Sequence, residues 1–251
     1  MYPQRKEEKS QMLFGIRPVI EAIKAGKDVE KILIQQGLTG ELFNELRNLL
    51  KESEIPFQYV PVEKLTRVTN KNHQGIIAFV SPVTYQSIEN IIPGLYELGK
   101  TPLLLILDRI TDVRNFGAIT RTAECAGVDA IIIPSRGAAQ INADAIKTSA
   151  GALFKIAICR SENLKHTLDF LKESGLQIVS CTEKTNTYYY EVNFKLPTAI
   201  IMGSEDDGIS DEYLKRSDLK AKIPLAGEIE SLNVSVATGI ILYEAIKQRL
   251  N

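Results

Sequence analysis

Apolar residues recur along the chain at two periods, and the change from one to the other marks out its elements. In the first third, P-V-I-E-A-I (18–23) has helical spacing and stops at Gly26. E-K-I-L-I-Q (30–35) has strand length, and Leu42, Leu46, Leu49 and Leu50 return at helical intervals. I-P-F (55–57) breaks that helix and opens an extended stretch, and G-I-I-A-F-V (75–80) reads as a buried strand. The pattern predicts a compact α/β unit over 14–83, preceded by a polar, mixed-charge lead (1–10) expected to be weakly ordered. Ser81-Pro82 opens the best linker, 81–90. Beyond it the strands become continuous apolar runs: 103–107 (LLLIL), 130–133, 153–159, 177–181 and 199–202. Helical segments are expected between them at 116–126, 142–150, 162–174 and 210–215. Continuous apolar strands alternating with helices predict a parallel sheet covered on both faces. The division is therefore a first domain at 1–84 and an α/β domain at 85–251. A last helix at 233–250 would present Val236, Ile240, Ile241 and Ala245 on one side, as a core or dimer helix.

Composition narrows the function classes. The 251 residues are 44% hydrophobic and 24% charged, the profile of a soluble globular protein. No apolar run approaches the roughly 18 residues of a membrane span, and the N-terminus lacks the apolar core of a signal peptide, so a cytoplasmic protein is expected. Cys125, Cys159 and Cys181 stand far apart and are expected to be small buried hydrophobes. With His73 and His166 as the only histidines, a His/Cys metal site is not expected and imidazole-based nucleophilic chemistry is strained. The net charge is −1, which argues against a basic nucleic-acid mat. Residues 1–84 nonetheless carry twelve Lys/Arg against ten Asp/Glu, so a polyanion partner would be met by a local patch.

In parallel α/β sheets ligands collect at the carboxyl ends of the strands, which directs attention to three loops. The first, D-R-I-T-D-V-R-N-F-G-A-I-T-R (108–121), leaves a buried strand and enters a helix whose free amides suit an anion. Asn115 is placed as its N-cap. Gly117 in a first helical turn points to close approach of backbone or ligand, and Arg121 either pairs with a carboxylate such as Glu124 or meets a phosphate. The second loop, M-G-S-E-D-D-G-I-S (202–210), brackets carboxylates between two glycines: either a solvated turn with Ser210 capping the next helix, or a ligand loop. The third, I-P-L-A-G-E-I-E-S-L-N-V-S-V-A (223–237), ends in Ser231 and Asn233, and capping accounts for only one of these. Phosphate-loop, dinucleotide and hydrolase-elbow motifs do not occur.

Together, N-F-G-A-I-x-R (115–121), M-G-S-E-x-x-G (202–208) and I-P-x-x-G-x-x-x-S-L-N-V-S-V-A (223–237) resemble the three signature motifs of the SpoU/TrmH family in the SPOUT superfamily, S-adenosylmethionine-dependent RNA ribose 2′-O-methyltransferases. F-G-I-R-P-V-x-E-A-I (14–23) and H-Q-G-I (73–76) resemble the small substrate-binding, L30e-like domain of the branch that methylates guanosine in bacterial 23S rRNA. The resemblance implies a deep C-terminal trefoil knot and a homodimer with active sites at the subunit interface. Many relatives have Pro before the helix where this chain has Val113-Arg114.

What the resemblance implies for individual residues follows. Arg121 would be the catalytic residue beside the target ribose and phosphate. Asn115 would orient Arg121 or the hydroxyl, Glu205 would fix the loop or Arg121, and Ser231 and Asn233 would complete the polar wall. A bent S-adenosylmethionine would be held mainly by backbone groups of Gly203, Ile223 and Leu232, with Met202, Leu225 and Gly227 around it. Substituting Gly203 with Val would then remove cofactor binding and leave the fold largely intact. RNA would meet Arg17, Lys24 and Lys71 of the first domain, with Arg5, Lys6 and Lys27 as further candidates, and Arg109, Arg114 and Arg136 of the second. His73 is a turn residue or an RNA contact. Membrane and DNA roles have no supporting feature. A tRNA or resistance-type rRNA methyltransferase, or a non-catalytic RNA-binding assembly factor, are the alternatives.

Overall fold

The computed structural model describes residues 11–53 and 55–250. The lead at 1–10, with Arg5 and Lys6, lies outside the described residues. The chain divides into two compact units, residues 1–84 with 141–143 and the remainder.

The first unit is a four-stranded mixed sheet with helices on both faces. It runs β1 (Gln11–Phe14), α1 (Ile16–Lys24), β2 (Val29–Gln35), α2 (Glu41–Glu52), β3 (Phe57–Val60), α3 (Val62–Val68) and β4 (Ile76–Val80). The sheet order is β1-β4-β2-β3, with β2–β3 parallel and the β4 pairings antiparallel. Side chains alternate across a strand. Ile32 and Ile34 thus join Val19, Ile20 and Leu46 in one core, while Leu33 joins Val60 and Leu65 in the other.

The second unit carries a six-stranded, wholly parallel sheet. Its elements are α4 (Ile88–Glu97), β5 (Leu103–Leu107), α5 (Val113–Cys125), β6 (Ala130–Pro134), α6 (Ala143–Thr148), β7 (Ala157–Ser161), α7 (Leu164–Glu173), β8 (Gln177–Cys181), β9 (Thr198–Met202), α8 (Asp211–Leu214), β10 (Leu219–Ala221) and α9 (Val234–Leu250). The strand order is β10-β8-β9-β5-β6-β7. Leu104, Ile106, Ile132, Ile178 and Ile201 pack with α4 and α7, and Leu103, Leu105, Ile131 and Ile200 on the opposite face are equally buried. Burial on both faces is why these strands read as continuous apolar runs.

Four expectations are corrected. The helix after β5 begins at Val113 with Asp112 as its cap, because the Asp112 carboxylate accepts from Asn115 N (2.7 Å). Asn115 is freed for other work. The run 153–159 is two elements: a 3₁₀ turn at Ala152–Phe154, entered from left-handed Gly151, and then β7. The linker is shorter than 81–90, since α4 begins at Ile88. On α9 the buried side is Val234, Thr238, Ile241, Leu242 and Ala245, with Val236 half exposed. That helix is apolar almost all round, so spacing alone could not select its inner face.

Candidate active site

The chain reverses direction across the sheet between β5 and β9: β6 and β7 lie beyond β5, while β8 and β10 lie beyond β9. Ligands of parallel sheets sit at such a switch point, outside the carboxyl ends of the strands. The loops after β5, β8, β9 and β10 all open there.

Asp108, directly after β5, anchors the loop after β9. Its N–H donates to Met202 O (2.8 Å), and its buried carboxylate accepts from both N and Oγ of Ser210 (2.7 Å each). The Ser210 hydroxyl is therefore committed to Asp108 and does not cap α8. Residues 204–208 close on themselves: Ser204 and Gly208 exchange backbone hydrogen bonds of 3.1 and 3.0 Å. Gly203 has to be glycine, because a Cβ there would lie 2.2 Å from the carbonyl carbon of Gly208. A side chain at 203 would displace the loop itself, so Val there is expected to disturb the 203–208 loop as well as the cofactor site. Gly117 is also explained by close approach, but of protein. A Cβ would meet Thr148 at 2.7 Å and the Ala145 carbonyl at 2.9 Å.

The three motif loops converge on one carboxylate oxygen. Asn115 Nδ2 and Asn233 Nδ2 donate to Glu205 Oε1 at 2.8 and 2.9 Å, and Asn233 Nδ2 also donates to Asn115 Oδ1 (3.0 Å). Asn233 simultaneously caps α9, its Oδ1 accepting from Ser235 N at 3.0 Å. One side chain thus serves both cap and junction. Glu205 Oε2 and the second Asn115 amide hydrogen make no hydrogen bond within the described residues.

Beside this junction opens a cavity of about 690 Å³. Met202, Gly203, Glu205, Ile223, Leu225, Ser231, Leu232 and Asn233 line it, whereas Gly227 does not. Thr182, Glu183 and Lys184, after β8, line it too and were not anticipated. Their signal was position alone, since β8 neighbours β9 at the carboxyl edge. Cys181 also borders the cavity, and burial pushes its thiol up to about 12, as it does that of Cys159. Cys125 is exposed, contrary to the expectation that all three cysteines are buried. A smaller cavity of about 210 Å³, lined by Asp112, Asn115 and Glu205 among others, lies across the 204–207 turn, which walls both.

Arg121 stands apart from this cluster. It is exposed on α5, lines neither cavity and makes no ion pair or hydrogen bond within the described residues. Glu124, its expected partner, faces Lys155 at 3.8 Å. Arg114 is exposed and likewise unpaired, and the Asp112 carboxylate serves the helix cap. Arg109 is committed within the chain, to Asp108, Asp207 and the Gly208 carbonyl. In the first unit, the 14–17 and 73–76 segments meet: Gly15 N donates to Ile76 O (3.1 Å), and Gln74 Oε1 would lie 3.0 Å from a Cβ on Gly15. Arg17 is exposed, Lys71 sits 5.2 Å above the Phe14 ring and Lys24 pairs with Glu45 (2.6 Å). His73 is a turn residue, Nδ1 accepting from Gly75 N at 3.0 Å.

The large cavity fits S-adenosylmethionine in size and chemistry. Its volume lies in the range of small-ligand sites. Met202, Ile223, Leu225 and Leu232 offer an apolar wall for an adenine ring. Glu183, Glu205 and Glu230 suit a cationic ligand, and Lys184 and Lys222 a carboxylate tail. No group of His, Cys, Asp and Glu suited to a metal ion occurs among the described residues, and no described helix is long and apolar enough to cross a membrane.

Comparison with known proteins agrees with this geometry. Residues 102–243 match the model of the SpoU rRNA methylase family, and residues 12–86 that of the RNA 2′-O ribose methyltransferase substrate-binding domain. Proteins of Staphylococcus saprophyticus and Staphylococcus haemolyticus, assigned by name to the TrmH family of tRNA/rRNA methyltransferases, are 34% identical over 95% of this chain and 96% of their own. The AdoMet-bound rRNA methyltransferase of Sinorhizobium meliloti superposes with a TM-score of 0.63 at 25% identity, covering 98% of this chain and 90% of that one. The A. aeolicus TrmH/SpoU tRNA modifying enzyme gives 0.55 at 33% identity, over 64% of this chain and 84% of its own. The SpoU methyltransferase AviRb of Streptomyces viridochromogenes, at 24% identity and a TM-score of 0.61 over 95% of this chain and 90% of that one, shares the fold. With both domain models matched and the three motif loops meeting at one carboxylate, the chain belongs to the SpoU/TrmH family of RNA methyltransferases.

Proposed function

We propose that this chain transfers a methyl group from S-adenosylmethionine to a ribose 2′-hydroxyl of RNA, with a guanosine of 23S rRNA as the target. The observation that carries the reading is the Asn115–Glu205–Asn233 junction at the wall of the large cavity. S-Adenosylmethionine, when bound, supplies an electrophilic methyl on a positively charged sulfur. Backbone groups of Gly203, Ile223 and Leu232 would hold it, with Met202 and Leu225 against it and Ser231 at the rim.

The 2′-hydroxyl is a poor nucleophile at neutral pH, so positioning supplies much of the rate. Glu205 Oε2 is the free acceptor for that hydroxyl, its sister oxygen being held by two amides. Arg121 keeps its proton, since a guanidinium pKa exceeds about 12. Because Arg121 stands apart from Glu205 within one chain, its proposed role uses the shared subunit interface: it is a planar fork that grips the target phosphate and stabilises the alkoxide forming at the site of the other subunit. Its exposure without a partner suits a residue that waits for RNA. The family reading carries with it a knotted C-terminus, a homodimer with active sites at the subunit interface and a cytoplasmic location.

RNA contact falls to Arg17, Lys71 and Arg114. Lys24, paired with Glu45, and Arg109 contribute less. With little net charge, recognition rests on RNA shape and on bases turned out of their stack. The substrate-binding domain favours rRNA: the Sinorhizobium rRNA enzyme superposes over 98% of this chain, the A. aeolicus tRNA enzyme over 64%. The test is tritiated S-adenosylmethionine with unmodified 23S rRNA beside bulk tRNA. Label is expected in 23S rRNA and is expected to fall about 10²–10³-fold in Arg121→Ala. Label in tRNA alone refutes the substrate. Undiminished label in Arg121→Ala refutes the role of the guanidinium.

A further inference from the structure

We infer that Arg109 is a positioning residue for methyl transfer, acting as a latch that sets the tilt of the 203–208 loop and so the place of Glu205; this rests on the function proposed above. Arg109 holds a left-handed backbone, φ +58°, where glycine would be free of strain and a long side chain is uncommon. What offsets that strain is the use made of the guanidinium. Nε donates to Asp108 Oδ1 (3.2 Å), Nη1 to Asp207 Oδ2 (2.9 Å) and Nη2 to the Gly208 carbonyl (3.2 Å). One plane of donors therefore ties the end of β5 to the far limb of the loop after β9.

The 204–208 turn is rigid within itself, closed by the Ser204–Gly208 pair and by Asp207 N donating to Ser204 Oγ (3.2 Å). It attaches to the sheet through Gly203 on one limb and through Ser210 and Asp108 on the other. Between those two attachments Arg109 makes the only side-chain hydrogen bonds, among the described residues, from the β5 end to the turn itself. The Glu205 carboxylate, at the tip, reaches Asn115 and Asn233. A turn released from Arg109 pivots as a unit and carries Glu205 away from both amides. Because 203–208 also walls the large cavity, the same pivot reshapes the cofactor site.

The test uses the full chain and measures binding of S-adenosylmethionine by calorimetry, without RNA. Asp207→Ala breaks the exposed limb of the latch and leaves the buried Asp108 with its counter-charge, so it is the variant that keeps the fold. It is expected to weaken cofactor binding about two- to fivefold, the reach of one partly exposed ion pair. Its melting temperature is expected to stay within a few degrees of wild type. Raising the salt concentration is expected to weaken wild-type binding more steeply than that of Asp207→Ala, because screening acts on one more ion pair in the wild type. Arg109→Gly is expected to lose more and Arg109→Lys to recover part of the loss. With RNA, kcat is expected to fall more than the KM for RNA rises. Equal affinity and equal salt response in Asp207→Ala and wild type overturn the latch. A wild-type chain that shows the latch by calorimetry yet methylates no RNA refutes the proposed function alone, and one that binds no S-adenosylmethionine overturns both.

Discussion

Gly203 shows how a single hydrogen in place of a side chain can shape a binding wall. A Cβ at 203 meets backbone at 2.2 Å, and backbone cannot swing aside as a flexible side chain can. Gly203→Ala is therefore expected to lose cofactor binding and also about 1–3 kcal/mol of stability, both visible when calorimetry is paired with thermal melting. Retained affinity with unchanged melting would show that the loop accommodates the methyl. The cysteines give a second test at this scale. Burial raises the thiols of Cys159 and Cys181 to about 12, well above the usual value, so at pH 8 they stay protonated and inert. Alkylation of the native chain at pH 8 is expected to mark Cys125 alone by peptide mass spectrometry. Labelling that reaches Cys181, half-buried at the edge of the cavity, would contradict a thiol held protonated there. Some motif positions were legible in the sequence because their residue types are unusual where they stand: a glycine early in a helix, and two hydrogen-bonding side chains where one cap suffices. The assignment of the cap was not legible, since Asp112 and Asn115 are both good caps three residues apart. In the fold Asp112 takes the cap, and the Asn115 amide is spent on Glu205.

At the scale of elements, the parallel sheet was legible because strands buried on both faces leave little besides apolar residues. The elements that escaped have weaker signals. α3 (Val62–Val68) is barely two turns, and α4 (Ile88–Glu97) carries Pro93 inside it. Helix α9 supplies Asn233's capped turn at one end and is tied down at the other by Arg249. That guanidinium donates to the carbonyls of Thr101, Pro102, Phe194 and Leu196, at 2.7 to 3.1 Å. These bonds join the C-terminal helix to the segments that enter β5 and β9. Arg249→Ala leaves those carbonyls to water or to nothing, and is expected to cost about 2–3 kcal/mol in denaturant unfolding. A loss below about 0.5 kcal/mol would show that water replaces the clamp without penalty.

At the scale of the whole molecule, neither net charge nor composition identifies an RNA enzyme, and the spacing of loop motifs does. The chain is slightly acidic overall, with its excess of Lys and Arg in the first unit, so binding to RNA is expected to be only moderately salt-dependent. Light scattering is expected to return twice the 27.9 kDa of one chain. A mass near a single chain contradicts the dimer and with it an active site shared between subunits. The exposed Val236 and Tyr243 of α9 are the apolar residues such an interface would cover. The most direct measurement asks which atom receives the methyl. RNA labelled by the wild-type chain with tritiated S-adenosylmethionine is hydrolysed in alkali, which cuts each linkage through attack by the neighbouring 2′-hydroxyl. A methyl on that oxygen blocks the cut, so the account predicts that the label emerges in alkali-stable dinucleotides and that this product falls away in Asn115→Ala and Arg121→Ala. Label released in single nucleotides, carried on a base, would contradict it.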